Sequence, residues 1–291
     1  MAGKQSAQLE RKKFFADPIM VSMIVVLLVF LALFILYPLL MLLVDSFYAE
    51  GTITLDVFKR VLNLERFRNA FKNTLTLGFI VGFASTAIGL LFAYVEVYVK
   101  LKTKILEKLF GLVSMLPVVS PPFVLSLSMI MLFGKAGIIT RFLLGIYDNS
   151  VYGFWGMVLL TCWQQIGYMM IIYIAGLQGL PGDVIEAAAV DGANSRQTLF
   201  NVTIPLMMPS ITVCTFLTVT NGFKMFDQNL ALTNGAPSNS SELLALNIYR
   251  TFYGRAGFEG VGQAKAVVFF IIVAVIALIQ NKLTTSKEVQ A

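Results

Sequence analysis

Residues 19–44 contain no charged side chain, and further runs of similar apolarity follow along the chain. An α-helix crosses the hydrocarbon of a bilayer with about 20 apolar residues. Such runs therefore dictate a bundle of membrane-crossing helices. Composition agrees: 57% of residues are hydrophobic and 13% charged, where a soluble domain has roughly 45–50% apolar and about 25% charged residues. With a mean hydropathy of +0.79, most of the outer surface must face lipid. The expected fold class is all-α, an integral membrane helical bundle.

Several chemistries drop out. The chain has no histidine, which removes Ser–His and Cys–His catalysis and His-based metal sites. Cys162 and Cys214 lie in long apolar runs and read as small buried hydrophobes, neither a disulfide framework nor metal ligands. The net charge of +6 comes from basic residues gathered at span ends, so membrane orientation explains it without nucleic acid.

The spacing predicts six transmembrane helices, over residues 19–44, 73–99, 105–133, 151–177, 202–226 and 263–279. The first follows Arg11, Lys12 and Lys13. It is far longer than the roughly 7–15-residue core of a signal peptide and lacks a small-residue cleavage site after it, so it reads as a retained span. Six spans put both termini on one side. The organisation is an N-terminal cytoplasmic segment (1–18), a transmembrane domain (19–281) and a C-terminal cytoplasmic tail (282–291). Lys100, Lys102, Lys104 and Lys108 crowd one tight turn, which places that turn, with Arg11–Lys13, in the cytoplasm. Residues 45–72 then lie outside, with a short interfacial helix through Leu55, Phe58, Val61 and Leu62. Residues 233–262 form an external loop that opens with a turn-prone run at 234–241 and resumes helical spacing over 243–253.

Loop 179–203 has a character of its own. Asp183 and Glu186 stand at capping-box spacing, and Ala187, Ala188 and Ala189 continue a helix of minimal bulk. Gly192 suits a helix stop. Asn194 and Gln197 repeat the capping spacing and start a second short helix toward Phe200. Two short helices at an angle make a protruding knob that another backbone can approach closely. The competing reading is a well-capped connector.

Glu186-Ala187-Ala188, then Gly192, then Val202-Thr203-Ile204-Pro205 resembles the EAA motif of bacterial binding-protein-dependent ABC importer permeases. The family pattern ends Ile-x-Leu-Pro; here Val202 and Ile204 hold the two aliphatic places. Residues 163–168 (Trp-Gln-Gln-Ile-Gly-Tyr), 175–178 and Pro181 are similar to the carbohydrate subgroup, as are Phe226-Asp227 and residues 232–237. The likeness covers residues 73–280. It implies a type I importer permease that forms, with a second homologous permease, the path for a sugar, an oligosaccharide first of all. It also implies two cytosolic ABC ATPases, an extracytoplasmic solute-binding protein and the bacterial cytoplasmic membrane. By the same resemblance Glu186, Ala187, Ala188, Asp191 and Gly192 contact the ATPase. The chain has no G-x-x-x-x-G-K-[ST] phosphate loop. ATP and magnesium therefore belong to the partner, and this chain is expected to bind no cofactor and to be no enzyme.

Polar side chains within hydrocarbon tend to face a bundle interior or a water-filled cavity. Helical spacing gathers Gln164, Gly167, Tyr168 and Ile171, with Gln165 beside them. It also aligns Asn221, Lys224 and Gln228, with Asp227 near Lys224. Trp163 and Tyr168 offer flat faces that suit sugar rings. These are the candidate substrate-path residues. Each has a plainer reading: Lys224 can pair with Asp227, Gln164 can join helices, Glu96 can pair with Lys100, and Pro117, Pro121 and Pro122 can simply kink the third span. Three other functions compete. Glycerol phosphate would call for clustered cations. An ion-coupled secondary transporter would need an ionisable group near mid-membrane, and the spans offer only marginal ones such as Glu96 and Asp227. An intramembrane enzyme would lack both histidine and an H-E-x-x-H motif.

Overall fold

The computed structural model describes residues 18–49, 52–99, 108–112, 116, 118, 120–133, 149–254 and 257–285. Helix α1 (Pro18–Asp45) is apolar all round, and its most apolar stretch is nowhere buried by this chain. It contains one π turn, Ala32–Leu36. That turn precedes Pro38, which has no N–H to return to the Phe34 carbonyl. At its end Asp45 accepts a hydrogen bond from Gln263 (3.4 Å).

A small antiparallel hairpin follows, β1 (Tyr48–Ala49) against β2 (Thr52–Ile53), with Tyr48 opposite Ile53. Helix α2 (Asp56–Asn63) is the short helix expected here, but its buried face differs: Leu55, just before it, and Leu62 are exposed, while Val57 and Val61, one helical turn apart, are buried among Phe67, Ala70, Leu244 and Ala264.

Helix α3 (Glu65–Tyr98) starts well before the expected residue 73. Of the third expected span, residues 108–112 and helix α4 (Pro122–Phe133) are described. Pro117 and the basic residues Lys100, Lys102 and Lys104 lie outside the described residues, as do Arg11–Lys13. Helix α5 (Ser150–Gln178) is capped by Asn149, whose side chain accepts from the Val151 N–H (2.9 Å). Helices α6 (Gly182–Val190) and α7 (Ser195–Leu206) form the knob. Helix α8 (Met208–Phe223) turns away from α7 by 70°, where the sequence suggested one span from residue 202. Helix α9 (Leu244–Gly254) matches the expected external helix, and α10 (Glu259–Thr285) outruns the expected last span at both ends.

By length and apolarity α1, α3, α5 and α10 can each cross a bilayer, and α7–α8 together count as a fifth, broken span. At the centre α3 packs against α5 and α8. The contact is possible because α3 presents small residues along one face: Gly78, Gly82, Ser85, Gly89 and Ala93, all buried. A Cβ on Gly222 of α8 would stand 2.9 Å from the Gly78 Cα, so the two helices touch backbone to backbone. Cys214 is buried within this core.

Candidate functional site

A cavity of about 440 Å³ opens between α5 and the end of α8, a size within the range of ligand sites. From α5 come Thr161, Gln164, Gln165, Tyr168, Met169 and Ile172, one stripe of an i, i+3, i+4, i+7, i+8 helical face. From α8 come Leu217 and Asn221, and beyond it Lys224, Met225, Phe226, Asp227 and Gln228. Seven of the eight path candidates thus surround one space. Trp163 does not: it packs against the buried group of Leu77, Val81, Met157 and Leu160, because one position from Gln164 on a helix is about 100° away. The polar face is also rotated from the one expected, since Gly167 is buried and Ile171 is exposed.

Inside the cavity Gln228 Nε2 donates to Gln164 Oε1 (3.0 Å), tying the two walls. The Tyr168 hydroxyl donates to the Val118 carbonyl (3.0 Å), so its ring faces the cavity while its polar end is already engaged. Helix α8 stops at Phe223, residues 225 and 226 are not helical, and the chain coils again from Asp227 into a π turn, Asn229–Thr233. The expected continuous row 221–224–228 is therefore two pieces of helix. Lys224 follows the C-terminus of one piece and Asp227 heads the other, each on the helix end that its charge favours. They form no ion pair with each other, and both are exposed. That removes the pairing reading. Glu96 is exposed near the end of α3, and Lys100 lies outside the described residues.

The sequence reading missed Thr161, Met169, Ile172, Leu217, Met225 and Phe226. The first three continue the 164–165–168 spacing and could have been found by extending it.

At the opposite end of α5 sits the knob. The expected Asp183–Glu186 capping box does not form: the N-cap of α6 is Pro181, without a side-chain cap. Asp183 lies two residues past that cap, in the first turn, where its charge favours the helix dipole instead. The stop is as expected. Gly192 has φ +80°, its N–H bonds the Ala189 carbonyl (3.1 Å), and the Ala193 N–H bonds the Ala188 carbonyl (3.0 Å). This is a complete Schellman closure. The second capping box is present in full: Asn194 Oδ1 accepts from the Gln197 N–H, and Gln197 Oε1 from the Asn194 N–H, both at 2.9 Å. Helix α7 then runs past Phe200 to Leu206. Glu186, Ala187, Asp191 and Gly192 are exposed and Ala188 half-buried. Val190 is 87% exposed, with Phe200 at 57%. Behind the knob, Tyr94 and Tyr98 of α3 face Ile185, Ala189 and Thr198 across a cleft of about 300 Å³.

At the end remote from the knob, loop 234–241 is held by a charge network absent from the sequence reading. Buried Glu242 accepts from Arg66 Nε and Nη2 (both 2.7 Å), from Arg250 Nη1 (3.1 Å) and from Asn247 Nδ2 (2.9 Å). Arg250 also holds the Asn234 carbonyl and side chain. Burial pushes the Glu242 carboxyl upward, but hydrogen bonds from Arg66 and Asn247 and the charges of Arg66 and Arg250 outweigh it and hold the pKa below the ordinary value. The signal was one acidic residue directly before Leu243-Leu244.

Comparison with known proteins places these features in context. The family described as binding-protein-dependent transport system inner membrane component matches residues 85–285. The chain is similar to the probable starch degradation products transport system permease protein AmyD of Thermoanaerobacterium thermosulfurigenes, 54% identical over 138 residues. That stretch is 47% of each chain, so the match spans about half the length of this relative. It is also similar to the sn-glycerol-3-phosphate transport system permease protein UgpA of Escherichia coli (strain UTI89), 30% identical over 260 residues and 84% of each chain. Among solved structures, a chain of a bacterial ABC transporter involved in the import of the acidic polysaccharide alginate superposes with a TM-score of 0.83. That superposition covers 94% of this chain and 98% of the other at 19% identity, a likeness of fold.

Proposed function

The chain belongs to the binding-protein-dependent transport system inner membrane components, and from that premise we propose that it is the membrane subunit of an ATP-driven importer for a sugar, an oligosaccharide first of all. It forms the path with a second, homologous permease. An extracytoplasmic binding protein delivers the solute, and two cytosolic ATPases supply the work. The reading keeps six spans, the third of them over residues 105–133, and both termini cytoplasmic.

The observation that carries this reading is the make-up of the cavity. Amides from Gln164, Gln165, Asn221 and Gln228 offer donors and acceptors side by side, while Met169, Ile172, Leu217 and Phe226 supply apolar faces. That mixture suits a neutral polyol ring, with hydroxyls on its rim and C–H groups on its faces. The name of the AmyD relative points the same way.

At the knob, Glu186, Ala187, Ala188, Asp191 and Gly192 form the ATPase contact. Exposed Val190 and Phe200 provide the apolar surface and the alanines the close approach. Closure of the ATPases would then move α6 and α7 as one body.

The UgpA similarity favours a second reading, glycerol phosphate. A phosphate calls for clustered cations, yet among the described residues that line the cavity Lys224 is the one cation, with Asp227 three residues on. The test is direct: reconstitute the chain with its partner permease, ATPases and binding protein, then follow uptake of labelled malto-oligosaccharides and of glycerol 3-phosphate. ATP-dependent uptake of the sugar is expected. Uptake of glycerol 3-phosphate alone, or uptake driven by an ion gradient without ATP, would overturn the proposal.

A further inference from the structure

The Val118 carbonyl is stranded by sequence. In an α-helix it would accept from the N–H of residue 122, and in a tighter 3₁₀ turn from that of residue 121. Both are prolines, and neither has an N–H to give. In apolar surroundings such an unmatched carbonyl is costly. Its partner is the Tyr168 hydroxyl, which crosses from α5 to donate at 3.0 Å.

The location gives this bond its meaning. The Tyr168 ring lines the cavity. Downstream of the two prolines, α4 packs against α5 and against the Asn229–Thr233 turn, and that turn begins just past the helix break at residues 225–226. Two interrupted helices therefore border the same space, each able to pivot without breaking an internal ladder of hydrogen bonds.

We propose that Tyr168 is a positioning residue: its hydroxyl latches the proline-interrupted segment at Val118 to the cavity wall, and the cavity opens when that bond is given up. The proposal rests on the reading of the cavity as a solute path. A polyol entering the cavity brings hydroxyls that can satisfy the Val118 carbonyl and the tyrosine together. The latch can therefore be exchanged for contacts to the solute at little net cost.

A double-mutant cycle tests this. Membrane vesicles from cells making the full chain with its partner subunits would carry Leu217→Cys as a reporter on the cavity wall. Its labelling rate by a membrane-impermeant maleimide is measured after subtracting the signal of the parent chain. Tyr168→Phe should raise the rate about fivefold, the worth of one hydrogen bond of ordinary net strength. Pro122→Ala restores an N–H to residue 122, which a helix continued across residues 120 and 121 can give to the Val118 carbonyl. In that background Tyr168→Phe should change labelling less than about twofold. Equal effects of Tyr168→Phe in both backgrounds, or no effect in either, would overturn the latch. The labelling ratio decides the matter even if the vesicles accumulate no sugar, so failure of the latch and failure of the transport reading remain distinguishable.

Discussion

Glu242→Gln removes the carboxylate that holds Arg66 and Arg250 directly and reaches Lys265 through Asn247, whose Oδ1 accepts from the Lys265 ammonium (2.8 Å). The Glu242 side chain is 1% exposed. Breaking a fully buried ion pair costs about 3–5 kcal/mol because a charge is left without its partner. Here the partners can recover some hydration: the Arg66 side chain is 46% exposed and that of Arg250 28%. Screening at such exposure lowers the expected cost to roughly 2–3 kcal/mol. For a chain of this size each kcal/mol moves the melting temperature by about 2–4 °C, so the purified variant should melt roughly 5–10 °C below the parent. Protease cuts within residues 234–241 should appear before global melting, since Arg66, Arg250 and Asn73 all bond to that loop. Acid provides an independent check. A carboxyl with a depressed pKa stabilises the fold above its unfolded value, near 4.5, and loses that contribution as pH falls through the folded value. The parent should therefore lose melting temperature as pH drops below about 4.5, and Glu242→Gln should be spared that part of the loss. A variant that melts with the parent and shares its full acid sensitivity would refute the assignment of the network.

Other outcomes follow from the same geometry. Gly192→Val forces a β-branched residue to φ +80°, a strain of about 1–3 kcal/mol; it should uncouple ATP hydrolysis from uptake while leaving the chain inserted, and Glu186→Lys should do the same by altering the docking face. Normal uptake in both variants would count against the knob. Gln164→Leu removes the acceptor of the Gln228 bond across the cavity; the half-saturating sugar concentration should rise about fivefold, as loss of roughly 1 kcal/mol implies, with assembly of the complex unchanged. Gly222→Val would drive a side chain into the Gly78 backbone and should cost about 1–3 kcal/mol of stability, visible as lower yield and earlier melting in detergent.

The sequence made some of this legible and hid the rest for identifiable reasons. Features encoded within a few residues were readable. The Gly192 stop needs a positive φ, and the Asn194–Gln197 box needs only one turn of helix. The cavity residues were found because amides are rare in apolar spans, but the face was misjudged. Helix α5 is apolar on most sides, so no dominant stripe fixes its rotation, and only packing shows that Gly167 turns inward and Ile171 outward. The break after Phe223 was hidden for a similar reason. Met225 and Phe226 carry no glycine or proline signal, and Met225 is buried in the core beside Leu77 and Leu243, a contact set by distant residues. The Asp183 cap failed because Pro181 sits at the position a capping side chain would need.

The knob and the cavity are joined by continuous structure. Helix α7 ends at Leu206, and the bend into α8 turns on Met207, which is buried against Tyr173 and Leu177 of α5. A Cβ on Gly176 would meet Ser210 Oγ at 2.5 Å and Met207 Cε at 2.9 Å, so the elbow is packed against α5 without slack. Dense contacts of this kind shift as a body rather than flex. In the proposed coupling a push on α6 and α7 would pass through the elbow to α8, which brings Asn221 to the cavity wall with Lys224 just past its end. The break at residues 225–226 lies beyond that point. The unwound residues 225 and 226 separate α8 from the Asn229–Thr233 turn, which bonds to Ser241 and Leu243 beside the Glu242-braced loop. Under the proposed coupling, the lever and the cavity wall would respond together, because one tightly packed elbow joins them.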